Sequence, residues 1–121
     1  MSARTEPRSV ARGSAEHYTW GDGCDGWYHL RRDDLAVIQE RMPAGTSEVR
    51  HYHARARQVF YVLAGELTIE LDGTTHTLGA RESLEVAPGL AHQVMNRSGE
   101  ACEFLVVSQP TTRGDRVDLA P

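Results

Sequence analysis

Residues 51–65 read HYHARARQVFYVLAG, a histidine pair two residues apart followed by an apolar run. Side chains of a strand alternate between its faces, so His51 and His53 point the same way, one pleat apart. Two imidazoles on one face of one strand can reach a common metal ion. A turn through ARAR (54–57) returns the chain as a second strand, on which Gln58 offers its amide toward the same point. Later, His92 follows the turn Pro88-Gly89 and opens another strand. Four ligand-type groups from three strands make a facial set with open coordination positions. Such positions suit substrate or dioxygen at an octahedral Fe, Mn, Ni or Co ion, or water at Zn.

Outward from this stretch the chain reads as short strands at regular spacing: 35–42, 48–53, 58–65, 66–73, 74–78, 82–87, 91–96 and 102–108. Turn residues punctuate them at 43–45, 72–73, 88–89 and 98–99, and Asp72-Gly73 between alternating runs predicts a type I′ hairpin. No window sustains a helical period and no internal repeat is present. The expected class is therefore all-β, one sandwich or barrel over 35–108. Residues 1–16, rich in Arg and Ser, are expected to be a flexible tail. Residues 17–34, rich in Gly and aromatics, are expected to form an irregular lead-in that packs on the barrel through Trp20 and Trp27. Residues 109–121 are expected to form a C-terminal tail, and the tripeptide RGD at 113–115 carries no weight there.

Composition narrows the function. Hydrophobic residues make up 40% and charged residues 25% of 121, the balance of a folded globular chain with one core. A net charge of −4 argues against nucleic acid or an anionic membrane as partner. All 13 basic residues are Arg. A lysine nucleophile or Schiff base is thereby excluded, and Arg is left as the permanent cation for an anionic substrate. Cys24 and Cys102 form no CxxC pair and are expected to be free thiols in a reducing compartment. No run approaches the ~18 apolar residues of a membrane span, and no apolar leader region follows the N-terminus, so a cytoplasmic location is expected.

At this point the residues resemble a known family. Gly45, His51, His53, Gln58 and Gly65 keep every spacing of the first cupin motif, and Arg81, Ala87, Gly89, His92 and Asn96 align with the second. The resemblance covers about 35–108. It implies a single-domain jelly-roll cupin barrel with one divalent transition metal (Fe, Mn, Ni, Co or Zn) on His51, His53, Gln58 and His92. Three departures stand out: Gln58 where the family usually has Glu, Arg81 for a glycine, and Ala87 for the proline. An amide in place of a carboxylate leaves the full +2 charge on the ion, a stronger Lewis acid held less tightly.

Parity with Gln58 and His92 predicts an apolar pocket of Phe60, Val62, Val94 and Asn96. Glu40, an acid on the apolar face of Ala36, Ile38 and Met42, is a candidate for proton transfer, and Arg41 a candidate substrate anchor. His17, His29 and His76 lie outside the motif strands and are read as surface residues. Resemblance to cupin dioxygenases implies oxidation of a small enol, thiol or keto-acid-like substrate. A metal-assisted sugar phosphate isomerase and a non-catalytic sensing barrel are the alternatives, and a homodimer is expected.

Overall fold

The structure, a computed structural model, describes residues 7–120. Among them eleven strands follow one another: β1 (Glu16–Trp20), β2 (Cys24–Arg31), β3 (Ala36–Met42), β4 (His51–His53), β5 (Arg57–Ala64), β6 (Leu67–Leu71), β7 (Thr74–Leu78), β8 (Ser83–Val86), β9 (His92–Met95), β10 (Cys102–Gln109) and β11 (Arg116–Asp118). They form two antiparallel sheets, β1-β2-β3-β10-β5-β8 and β11-β4-β9-β6-β7. The all-β expectation holds, and each strand read from sequence between 35 and 108 has its counterpart within a few residues.

Alternation builds the larger sheet. In β5 Gln58, Phe60 and Val62 are buried while Arg57, Val59, Tyr61 and Leu63 are exposed, and β10 buries every second residue from Cys102 to Ser108. The inward side chains meet Leu67, Ile69 and Val94 of the smaller sheet around Phe104. Each such large apolar group contributes about 1.5–3 kcal/mol on burial. Cys24 and Cys102 are both free and wholly buried in this core. Burial pushes the Cys102 thiol up to about 11. The pair therefore packs as small apolar groups.

Backbone geometry explains the punctuation. Asp72 and Gly73 both have positive φ (49° and 91°), as a type I′ hairpin requires. At Gly65 (φ 82°) a Cβ would lie 2.8 Å from the Ala101 carbonyl oxygen, so only glycine fits. Arg81, standing at a motif glycine, keeps φ 68°. That conformation costs an L-residue roughly 1–2 kcal/mol, and the Arg81 amide donates to the Val62 carbonyl at 2.8 Å.

Both ends of the chain depart from expectation. Residues 17–34 are no irregular lead-in: β1 pairs β2 from Glu16↔Tyr28 to Trp20↔Cys24, and β2 pairs β3. Gly21 and Gly23, both with positive φ, make the turn between β1 and β2. Of the expected tail, residues 1–6 lie outside the described residues; Arg12 bridges to Glu103 at 2.8 Å and lies over the Trp27 ring. At the other end β11 pairs β4, and Asp115 of the RGD tripeptide is buried. Its carboxylate accepts from the Arg55 amide at 3.1 Å and the Ala56 amide at 2.8 Å. Asp115 is a structural clamp.

Candidate metal centre

His51 and His53 stand on β4, and His92 lies directly opposite His51 on β9. Ring centroids are 4.8 Å apart for His51–His53, 4.4 Å for His51–His92 and 5.8 Å for His53–His92. One potential ligand atom from each ring lies within 4.8 Å of the others. Gln58 faces them from β5 in the other sheet.

Local hydrogen bonds set the tautomers. His51 Nδ1 lies 2.8 Å from the Val49 carbonyl oxygen and His92 Nδ1 lies 3.0 Å from that of Leu90. A carbonyl only accepts, so Nδ1 carries the proton in both rings and Nε2 keeps its lone pair. Gln58 donates through Nε2 to Ser108 Oγ at 3.1 Å, with its carbonyl oxygen at the free end. Among the described residues, the buried side-chain polar atoms left without a partner are His53 Nδ1, Gln58 Oε1 and His92 Nε2. An orphaned buried acceptor costs roughly 1–3 kcal/mol. The unpaired atoms all belong to residues gathered at this cluster, and a set of imidazole nitrogens with one amide oxygen suits a divalent transition ion.

The imidazoles are also held neutral, as ligands must be. Burial is the main cause, lowering His51 to about 3 and His53 to about 4, and it lowers His92 as well.

A cavity of about 250 Å³ opens against this cluster, lined by Tyr18, Trp20, Tyr28, Ile38, Glu40, Glu48, His51, His53, Gln58, Phe60, Val106, Ser108, Thr112 and Arg116. Its two acids are shifted the opposite way. Burial raises Glu40 to about 7 and Glu48 to about 8, so both carry protons through much of the neutral range. Glu48 Oε2 accepts from the Val94 amide and lies 3.6 Å from His51 Nδ1, so an acid side chain stands beside a candidate ligand.

These shifts predict a stability optimum for the metal-free protein. The depressed imidazoles contribute stability above the ordinary histidine value near 6.5, and it is lost as pH falls toward 3. Glu40 and Glu48, raised on folding, contribute below the ordinary carboxylate value, and that part is lost as pH rises through 7 and 8. Together they place the maximum at about pH 6–6.5. Urea denaturation in chelator from pH 4 to 9 checks this; a steady rise through pH 8 contradicts it.

Of the pocket residues read from sequence, Phe60 and Glu40 line the cavity. Val62 and Val94 lie instead in the apolar core, because strand parity gives the face and not the depth. Asn96 is a buried brace, donating to the Met42 and Glu100 carbonyls. Arg41, adjacent to the inward Glu40, faces the outside of the sheet, aligned between Asp25 and Glu103. Sequence reading missed Glu48 at the site. The segment before β4 is not a continuous strand, so the alternation that would send Glu48 outward does not apply. It also missed Tyr18, Trp20 and Tyr28 as lining residues, and Thr112 and Arg116, which sit in the segment taken as a tail.

Comparison with known proteins agrees with the architecture. The family model for the Cupin domain matches residues 37–108. The HTH-type transcriptional regulator PuuR of Escherichia coli is 28% identical over 78 residues, 64% of this chain and 42% of its own length. This chain thus spans less than half the length of the curated relatives it matches. Among solved structures, an RmlC-like cupin from Shewanella frigidimarina superposes with a TM-score of 0.78 at 22% identity, covering 88% of this chain and 93% of that one. The polyketide cyclase RemF from Streptomyces resistomycificus gives 0.83 at 19% identity, covering 96% and 87%. At those identities the likeness is one of fold. With the family model spanning more than half of the chain, the protein belongs to the cupin family.

Proposed function

We propose that this cupin is a metalloenzyme whose small substrate chelates a divalent transition ion held by His51, His53, His92 and Gln58, with dioxygenase-type chemistry on an enol, thiol or keto acid. The observation that carries the reading is the set of unpaired buried polar atoms on His53, Gln58 and His92 beside a cavity. When bound, such an ion supplies Lewis acidity toward a chelating oxygen and, for Fe, Mn, Ni or Co, redox capacity. The chain's own residues do the rest. Val49 and Leu90 carbonyls orient two rings, Ser108 orients Gln58, and Ile38, Phe60 and Val106 give the cavity an apolar wall. The C-terminal segment contributes Arg116 as a cation beside it.

Elemental analysis of protein purified without chelator or added metal is expected to find near one transition ion per chain. Oxygen uptake is then expected with at least one enol, thiol or keto acid; a metal-loaded protein that consumes none contradicts the dioxygenase reading. Gln58→Glu is expected to tighten the ion by roughly tenfold or more, since it adds a charge to a neutral donor set.

Two alternatives each have an observation behind them. Glu40 in the cavity favours metal-assisted isomerisation, which deuterium uptake by a sugar phosphate would reveal. The likeness to PuuR favours a ligand-sensing barrel. The described residues contain no helix, and in that reading the barrel is the part that recognises a small molecule. Tight ligand binding without turnover would favour it.

Val59, Tyr61 and Leu63 expose an apolar stripe on the outer face of β5, which supports a homodimer. Light scattering after size exclusion tests it. No helix of the described residues is long and apolar enough to cross a membrane, and a cytoplasmic location remains part of this proposal.

A further inference from the structure

Tyr18, Gly26 and Glu40 form one row across three strands: Tyr18 pairs with Gly26, and Gly26 pairs with Glu40. A Cβ at Gly26 would lie 2.1 Å from Tyr18 Cζ and 2.5 Å from its hydroxyl oxygen. The phenol ring therefore lies across the space that glycine leaves open. Neighbouring strands are about 4.8 Å apart, so the side chain must cross the whole of β2 to reach β3. It does so, and the hydroxyl donates to Glu40 Oε1 at 3.0 Å. Any side chain at Gly26 would break this bridge.

The row ends in the cavity. Tyr18 and Glu40 line it together with His51, His53 and Gln58. On its own strand Glu40 occupies the inward parity otherwise given to Ala36, Ile38 and Met42, and it lies opposite the wholly buried Phe104. A carboxyl there is costly, and an apolar residue would fill the position without cost. One of its oxygens is tied to Tyr18; among the described residues the other has no hydrogen-bond donor and is open to the cavity.

We propose that Glu40 transfers protons to and from a small enolisable α-keto acid bound in this cavity, with Tyr18, seated over Gly26, as its positioning residue. The proposal rests on the reading of the cavity as a substrate site. In the step, a Glu40 carboxylate oxygen takes a proton from the carbon next to the carbonyl. The C–H pair becomes the C=C bond of the enolate, and the C=O π pair moves onto oxygen. Return of the proton to carbon restores the carbonyl, so no oxidant or reductant is consumed. The groups facing Glu40 suit this role. Tyr18 and Tyr28 approach from β1 and β2, Glu48 from the segment before β4, and Arg116 from β11. Burial holds Glu40 near 7, with Tyr18 and Arg116 pulling the other way, so acid and base forms coexist at neutral pH. Burial and the nearby Glu40 push the Tyr18 phenol well above its ordinary value, so it stays a donor.

The test follows loss of the pyruvate methyl proton signal in deuterated buffer, with the full chain loaded with metal and elemental analysis of every sample. Wild-type protein is expected to accelerate exchange over buffer containing the same metal, with a rate rising through about pH 7. Glu40→Gln is expected to lower the rate about 100-fold or more at unchanged metal content. Tyr18→Phe is expected to lower it less and to move the pH midpoint upward, since the lost hydrogen bond favours the carboxylate. Gly26→Ala, which displaces the ring, is expected to match Tyr18→Phe. Glu40→Asp, an acid withdrawn from Tyr18 by one methylene, serves as the second variant should Glu40→Gln fail to fold, and is expected to give an intermediate rate. Wild-type exchange no faster than buffer, a Glu40→Gln rate equal to wild type, or an unmoved midpoint in Tyr18→Phe overturns the proposal. One ion per chain with no exchange leaves the metal reading standing and removes the proton role. Glu40-dependent exchange with no retained ion does the reverse.

Discussion

Single replacement of His51, His53 or His92 by alanine is expected to take bound transition metal from near one ion per chain to near zero after gel filtration, with affinity more than about 100-fold weaker. The magnitude follows from a comparison. Residues that merely orient a metal ligand typically cost 10–100-fold when lost, and these three rings are the ligands themselves. The metal-free variants are expected to keep the fold, because each substitution removes an imidazole whose acceptor has no partner or whose only ring bond is to a local carbonyl. Circular dichroism and denaturation in chelator separate the two effects. A variant that unfolds says that the rings are braces; one that folds without metal says that they are ligands. Unchanged stoichiometry in all three would remove the site.

The second large effect belongs to Asp115. Its carboxylate accepts from the amides of Arg55 and Ala56, in the turn that joins β4 to β5, and its own carbonyl accepts from Ala54. That turn sets the distance between His53 and Gln58. The carboxyl stays ionised although burial opposes it, because these amides and the Arg55 guanidinium hold it below the ordinary carboxylate value. Asp115→Ala leaves the buried Ala56 amide and the half-buried Arg55 amide without an acceptor and unclamps the segment that carries Thr112 and Arg116. The expected loss is about 2–4 kcal/mol, a Tm lower by roughly 8–15 °C, together with weaker metal retention. Asp115→Asn keeps one carbonyl acceptor and is expected to lose about half as much. Thermal unfolding of both variants checks this, and a loss under about 0.5 kcal/mol for Asp115→Ala would show that β11 is held by its pairing with β4 alone.

Legibility in the sequence followed burial. β5 and β10 announce themselves because one face is core and the other is not, and the hairpin at Asp72-Gly73 because its backbone admits few residues. The four candidate ligands were legible for a related reason: their types and spacings make sense only on strands that converge. What escaped lies where alternation is weak. Gly21, Gly23 and Gly26 interrupt the apolar pattern of the β1–β2 hairpin, yet the first two make its turn and the third makes room for the Tyr18 ring. β11 is three residues long with every residue exposed, and it is anchored by Asp115 rather than by an apolar face. Its contribution of Arg116 to the cavity therefore has no periodic signal. Glu48 was concealed by a strand reading that ran three residues too far toward the N-terminus. Val62 and Val94 show the opposite failure, correct in face and wrong in depth. A period of two cannot say how far along the barrel axis a side chain lies.

The central claim is that three imidazoles and one amide converge on a single cation. X-ray absorption at the metal edge of the zinc-loaded chain tests it most directly. Three nitrogen neighbours at about 2.0–2.1 Å, with the outer-shell scattering of three imidazole rings that falls by one ring in His92→Ala, is the predicted result. A shell of oxygen alone, or a ring count unchanged by His92→Ala, would contradict it.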